Sequence, residues 1–120
     1  MTVKDLTAIA SDLSAFAHER EWDKFHSPKN LAMALAVEAA ELLEHFQWLT
    51  EQESRHLESK KIREIQEEAA DVQIYLLMLA DKLGIDLIRA VEAKIEKNRS
   101  KYPAEQARGS AAKRRDTGSE

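Results

Sequence analysis

Apolar residues recur at helical spacing along most of this chain. Leu6, Ile9, Leu13 and Phe16 mark a first helix, with Thr2 as a suitable N-cap and an end near Arg20. From Arg20 to His26 the period is lost. Ser27 and Pro28 then open a second helix, since Ser caps well and Pro at the first helical position gives up an N–H that would be unpaired anyway. Its stripe of Leu31, Leu35, Leu42, Phe46 and Leu49 predicts a helix as far as about Leu49. Thr50-Glu51-Gln52-Glu53 has the form of a capping box and predicts a short polar helix. A third long helix is expected from about Lys60 to Leu83, with Ile65, Val72, Leu76, Leu79 and Leu83 as its stripe and Gly84 as its left-handed stop. Asp86 caps a fourth, which carries Leu87, Val91 and Ile95 and ends before Pro103.

Composition sharpens that pattern into a fold class. Glycine stands only at positions 84, 109 and 118, and proline only at 28 and 103, so nothing breaks the helices between them except Gly84. The expectation is all-α: a four-helix bundle with a short extra helix, formed by residues 1–103 as one domain. Residues 104–120 lack any large apolar side chain and include the basic Lys113-Arg114-Arg115, which predicts a flexible polar tail.

Charge and residue usage then remove whole classes of function. With 18 Lys and Arg against 22 Asp and Glu the formal charge is −4, which argues against nucleic-acid binding through phosphate contacts. The absence of cysteine rules out disulfides, zinc–thiolate sites and thiol catalysis. No apolar run approaches the roughly 20 residues of a membrane span, and the N-terminus lacks the apolar core of a signal peptide. A cytoplasmic protein without a membrane partner is expected.

Carboxylates occupy positions where core residues should begin. At about 100° per residue, Glu38 falls on the flank of the second helix's stripe and Glu41 about 60° further round. On the third helix Glu68 sits within about 40° of Val72, and Asp71 again lies about 60° beyond. Each pair encloses two alanines, Ala39-Ala40 and Ala69-Ala70, which would permit close helix approach. If these helices pack antiparallel, the four carboxylates converge, and such anions need protons or cations to persist together. A hard divalent ion, Mg2+ or Mn2+, would suit them. Glu at i and i+3 is also common on solvated helix faces, so geometry alone leaves both readings open. A ferritin-type di-iron site is disfavoured, because the only Glu-x-x-His spacing is Glu53-Ser54-Arg55-His56 in the most polar stretch.

Two further groups flank the acidic residues. Lys94, Asn98 and Lys101 share a face of the fourth helix and Tyr102 adjoins them, a strip suited to polyphosphate oxygens. Basic residues also sit well at any helix C-terminus, and that explanation suffices for Lys97 and Arg99. Trp22, Phe25, His26 and Asn30 precede or open the second helix, and Trp48 follows it. Aromatics of this kind can sandwich a base while His and Asn read its edge, or can serve as core and interface. His18, His45 and His56 read as surface or structural residues.

Together these groups resemble the MazG-like family of all-α nucleoside triphosphate pyrophosphohydrolases, most closely its dCTP pyrophosphatase branch. The likeness runs from about Arg20 to Pro103. It rests on Glu38-Ala-Ala-Glu41 and Glu68-Ala-Ala-Asp71, with Glu21-Trp22-Asp23-Lys24-Phe25-His26, Phe46-Gln47-Trp48, Asp71-Val72-Gln73-Ile74-Tyr75-Leu76 and Lys97-Asn98-Arg99-Ser100-Lys101-Tyr102-Pro103. The resemblance implies Mg2+ on Glu38, Glu41, Glu68 and Asp71, with Mn2+ as a substitute. It implies triphosphate and sugar contacts from Lys94, Asn98 and Tyr102, beside which Lys101 is a further substrate-binding candidate. Trp22, Phe25, His26, Asn30 and Trp48 would form the base pocket, Trp48 from another subunit. The implied reaction splits the α–β phosphoanhydride of dCTP or a modified dCTP to clean the nucleotide pool, with Glu41, or else Glu38, as proton acceptor. Broad dNTP or dUTP hydrolysis stays open, as does a non-catalytic helical oligomer that binds nucleotides or a protein. The family assembles as homodimers or homotetramers. Ile74, Leu77 and Met78, a second apolar face on the third helix, fit either such an assembly or a helix central to its own bundle.

Overall fold

The structure, a computed structural model, describes residues 5–112, and every regular element among them is helical. Helix α1 spans Leu6–Glu19, a 3₁₀ turn Asp23–Phe25, α2 Pro28–Glu44, α3 Glu51–Ser54, α4 Ser59–Lys82, α5 Leu87–Lys101 and α6 Ala104–Ala107. The all-α class expected from the sequence is therefore the class observed.

Local chemistry explains most boundaries. Thr2 lies outside the described residues; α1 is capped by Asp5, whose Oδ1 accepts from the Ala8 N–H at 2.8 Å. Ser27 Oγ accepts from the Asn30 N–H at 3.1 Å and Pro28 follows it, so α2 starts where expected. Its end does not match the expectation of about Leu49. After Glu44 the bonds tighten to the third residue back, His45 to Leu42 and Phe46 to Leu43, and the chain turns before the next cap. There Thr50 Oγ1 accepts from the Glu53 N–H at 3.1 Å while Glu53 Oε1 accepts from the Thr50 N–H at 2.9 Å, a complete capping box.

The first unit, residues 1–85, is organised on α4. Helix α4 packs against α2 and α1. Lys82 near its C-terminus pairs with Asp23 just ahead of α2, whereas Lys61 near its N-terminus shares a cavity with His45 just past α2. Helices α2 and α4 thus run antiparallel. Among the described residues the buried side chains are Ala17, Leu31, Leu77 and Ala80, with Leu31 fully buried. Leu77 of the second apolar face of α4 is buried within the chain, whereas Ile74 and Met78 of the same face are half-buried. The larger stripe is only half-buried, and its last member, Leu83, is exposed.

The second unit begins at Asp86 and is described by itself. Asp86 Oδ1 accepts from the Arg89 N–H at 3.1 Å and caps α5, and one turn of helix, α6, follows Pro103. Lys113, Arg114 and Arg115 of the expected tail lie outside the described residues. No helix among the described residues is long and apolar enough to cross a membrane.

Candidate active site

The antiparallel pairing of α2 and α4 brings three acidic side chains together. One carboxylate oxygen each from Glu38, Glu41 and Glu68 lies within 4.8 Å of the other two. Asp71, one turn further along α4, stands outside that group; its shorter side chain still raises the pKa of Glu38 and Glu68 by repulsion. The alanines between the acids take no part in the contact. Ala39, Ala40, Ala69 and Ala70 are all exposed, which corrects the expectation that they set the helix approach. Turning the carboxylates into the seam at about 100° per residue turns the alanines away from it.

The electrostatics of this cleft are unfavourable without a counterion. Glu38, Glu41 and Glu68 are half-buried, and the Glu38 Oε2 and Glu68 Oε2 atoms are shielded from water without any hydrogen-bond partner. With all three groups ionised no donor faces these oxygens, so a shared proton or a cation must satisfy them. Glu38 is pushed up to about 7, first because its protonated form donates to Glu41, then by burial and the negative charge of Glu41. Glu68 is also raised, chiefly by burial, against a lowering hydrogen bond from Glu38. Orphaned oxygens from two helices and an all-carboxylate donor set fit a hard divalent cation.

The cleft opens onto a cavity of about 540 Å3 lined by Glu41, Glu44, His45, Lys61 and Glu68. Glu38 does not line it. His45, read from sequence as a surface or structural residue, and Lys61, not singled out at all, are therefore neighbours of the acidic group. Lys61 precedes Glu68 by seven residues, a same-face spacing that could have flagged it.

The aromatic candidates divide between the two ends of α2. Trp22 meets Phe16 and His26 edge-on, with ring centroids 5.6 Å and 6.2 Å apart, and Asn30 Nδ2 donates to the Phe25 carbonyl at 3.0 Å. Trp48 sits beyond the other end and is 86% exposed. Helix α2, which lies between the two tryptophans in the chain, has 17 residues and at about 1.5 Å each is roughly 25 Å long. Lys94, Asn98, Lys101 and Tyr102 belong to the second unit, where the Tyr102 N–H donates to the Asn98 carbonyl at 2.8 Å and Lys101 Nζ lies 5.8 Å from the Tyr102 ring centre. Tyr102 also lines a cavity with Ala107 and Ser110, beyond Pro103.

An all-α fold with a carboxylate cluster suited to a divalent cation defines the class. Residues 33–116 match the MazG-like family. dCTP pyrophosphatase 1 of Rattus norvegicus is 42% identical over 117 residues, 96% of this chain and 67% of that protein. Its Homo sapiens counterpart is 41% identical over 114 residues, 93% of this chain and 65% of that one. Among solved structures, a pyrophosphatase from Archaeoglobus fulgidus superposes with a TM-score of 0.78 at 42% identity, over 86% of this chain and 96% of that chain. The chain belongs to the MazG-like family.

Proposed function

We propose that this protein hydrolyses dCTP or a modified dCTP between the α- and β-phosphates, releasing a monophosphate and pyrophosphate, in a Mg2+-dependent reaction that cleans the nucleotide pool. The class, nucleoside triphosphate pyrophosphohydrolase, is supported by the relatives named dCTP pyrophosphatase and by the pyrophosphatase of the same fold. The observation that carries the reading is the meeting of Glu38, Glu41 and Glu68 with two orphaned oxygens.

In this reading Glu38, Glu68 and Asp71 hold the metal together with Glu41. When bound, the divalent ion supplies neutralisation of phosphate charge and acidifies a water. Glu41 lines the open cavity, so it faces the side from which water and substrate arrive and takes the proton from the attacking water. Glu38, withdrawn from that opening, serves as ligand. Lys94, Asn98, Lys101 and Tyr102 bind the phosphates and sugar, and Trp22, Phe25, His26 and Asn30 hold the base.

Trp48 would complete that pocket from a second subunit, because α2, roughly 25 Å long, lies between it and Trp22 in its own chain. A homodimer or homotetramer also accounts for Met33, Val37 and Leu43, which stay more than half exposed within an arc of about 120° on α2. The small number of buried side chains among the described residues points the same way.

A hydrolysis panel of canonical and methylated NTPs and dNTPs, with and without Mg2+, tests the reaction. Monophosphate plus pyrophosphate, abolished by Glu41→Gln and Asp71→Asn, is expected. Orthophosphate plus diphosphate would place the cut at the wrong bond, and no turnover at all would leave a binding protein. Light scattering of the eluting protein, repeated on Trp48→Ala for dCTP turnover, tests the shared pocket.

A further inference from the structure

Away from the acidic cleft, one carboxylate ties three helical elements together. Asp23 opens the 3₁₀ turn that Phe25 ends, with Trp22 just before it and His26 just after. Its Oδ1 accepts from Lys82 Nζ of α4 at 3.2 Å, and its Oδ2 accepts from His18 Nδ1 of α1 at 3.1 Å. The hydrogen bond from His18, then that from Lys82, holds the Asp23 carboxyl below its ordinary value. Lys82 is the better shielded partner, at 32% exposure against 84% for His18. Asp23 and His26 also share a narrow crevice with Ala17 of α1 and Met78 of α4.

A three-residue 3₁₀ turn has too few internal bonds to fix its own orientation. Local anchors hold its ends. The Trp22 N–H donates to the Ala17 carbonyl at 3.0 Å, and Asn30 donates to Phe25. Neither reaches α4, the helix that carries Glu68. Asp23 does, through a residue 59 positions away in the chain.

We propose that Asp23 is a positioning residue for base recognition: by gripping Lys82 and His18 it sets the angle at which Trp22, Phe25 and His26 meet the base. The inference rests on the reading of those three residues as the base pocket. An exposed ion pair is screened by solvent, so its loss is expected to change substrate affinity by no more than about fivefold.

Steady-state kinetics with dCTP and Mg2+ test it. Asp23→Asn and Lys82→Met should each raise KM about fivefold with kcat changed less than about twofold, the signature of lost uniform binding. Lys82→Arg should behave as the unaltered protein, and the double variant should be no worse than either single one. Inhibition by pyrophosphate, which lacks a base, should be unchanged. A lower melting temperature with unaltered KM would make Asp23 merely structural and overturn the proposal, as would a parallel weakening of pyrophosphate. Trp22→Ala separates the two levels. If it raises KM and Asp23→Asn does not, the tether alone fails; if Trp22→Ala leaves KM unaltered, the base-pocket reading fails and the inference with it.

Discussion

Asp23 and the Glu38–Glu41–Glu68 group show two ways of placing carboxylates between packed helices. Asp23 has partners from its own chain, His18 and Lys82, and its pKa is lowered. Glu38 and Glu68 have shielded oxygens without partners, and their pKa values are raised. The first arrangement is complete as the chain folds. The second is complete only when something positive arrives. A satisfied carboxylate can hold structure in place, whereas an unsatisfied group could take up a cation, at the expense of stability while it is empty.

Removing charge should therefore act in opposite directions in the two regions. Glu68→Gln and Glu38→Gln are expected to reduce dCTP hydrolysis by about 10³-fold or more, as loss of metal and proton-transfer function does. The same substitutions should raise the melting temperature of the metal-free protein, because they relieve repulsion. Asp23→Asn should lower the melting temperature slightly. Thermal melts in a chelator beside initial rates in Mg2+ check all three, and a fall in stability on Glu68→Gln would erase the contrast.

Acidity separates the regions next. A carboxyl with a raised folded pKa binds its proton more tightly in the native state, so its favourable contribution is present below the unfolded value and lost as pH rises through the folded one. For Glu38 that window runs from 4.5 to about 7. Metal-free protein should lose stability across it, and Mg2+ should restore more at pH 7.5 than at pH 5. Asp23 has the opposite sign. Its lowered pKa stabilises above the unfolded value of 3.8 and is lost as pH falls below that value. Melting curves over this range, with Mg2+ and with chelator, should show the metal increment growing with pH.

What could be foreseen from the chain follows the reach of each interaction. Ser27-Pro28, the Thr50–Glu53 box, Gly84 and Asp86 act over three or four residues, and each marks an observed helix end. The meeting of Glu38, Glu41 and Glu68 needed only periodicity and one assumption of antiparallel packing. By contrast, the Asp23–Lys82 pair spans 59 positions and leaves no local pattern. The early end of α2 at Glu44 is set by turn bonds that apolar spacing cannot report, since Phe46 and Leu49 continue the stripe after the helix has stopped. Burial also moved. Ala17 rather than Phe16 is the buried residue of α1, and Leu77 and Ala80 are those of α4, because the helix rotations are fixed by which neighbours they meet.

The smallest predicted effect lies beside Asp23, where the structure holds a strain that the sequence conceals. Helices α1 and α4 end in the same pair of bonds. Glu21 and Trp22 donate to the His18 and Ala17 carbonyls, and Gly84 and Ile85 donate to those of Asp81 and Ala80. Both ends require a left-handed residue, at φ of 54° for Glu21 and 68° for Gly84. Glycine adopts that conformation freely, whereas a side chain there costs about 1–2 kcal/mol. Glu21 is tolerated because the turn brings the Trp22 ring against Phe16, the contact that accompanies this motif. Glu21→Gly removes the strain but gives the unfolded chain more freedom, offsetting about 0.4–1 kcal/mol of the gain. A net stabilisation of about 0.5 kcal/mol is expected, while Gly84→Ala should destabilise by about 1 kcal/mol. Urea unfolding of both variants decides the matter. If Glu21→Gly instead destabilises the protein, the Glu21 side chain contributes more to the loop than its backbone strain removes, and the region around Asp23 is held by more than the carboxylate and the aromatic contact.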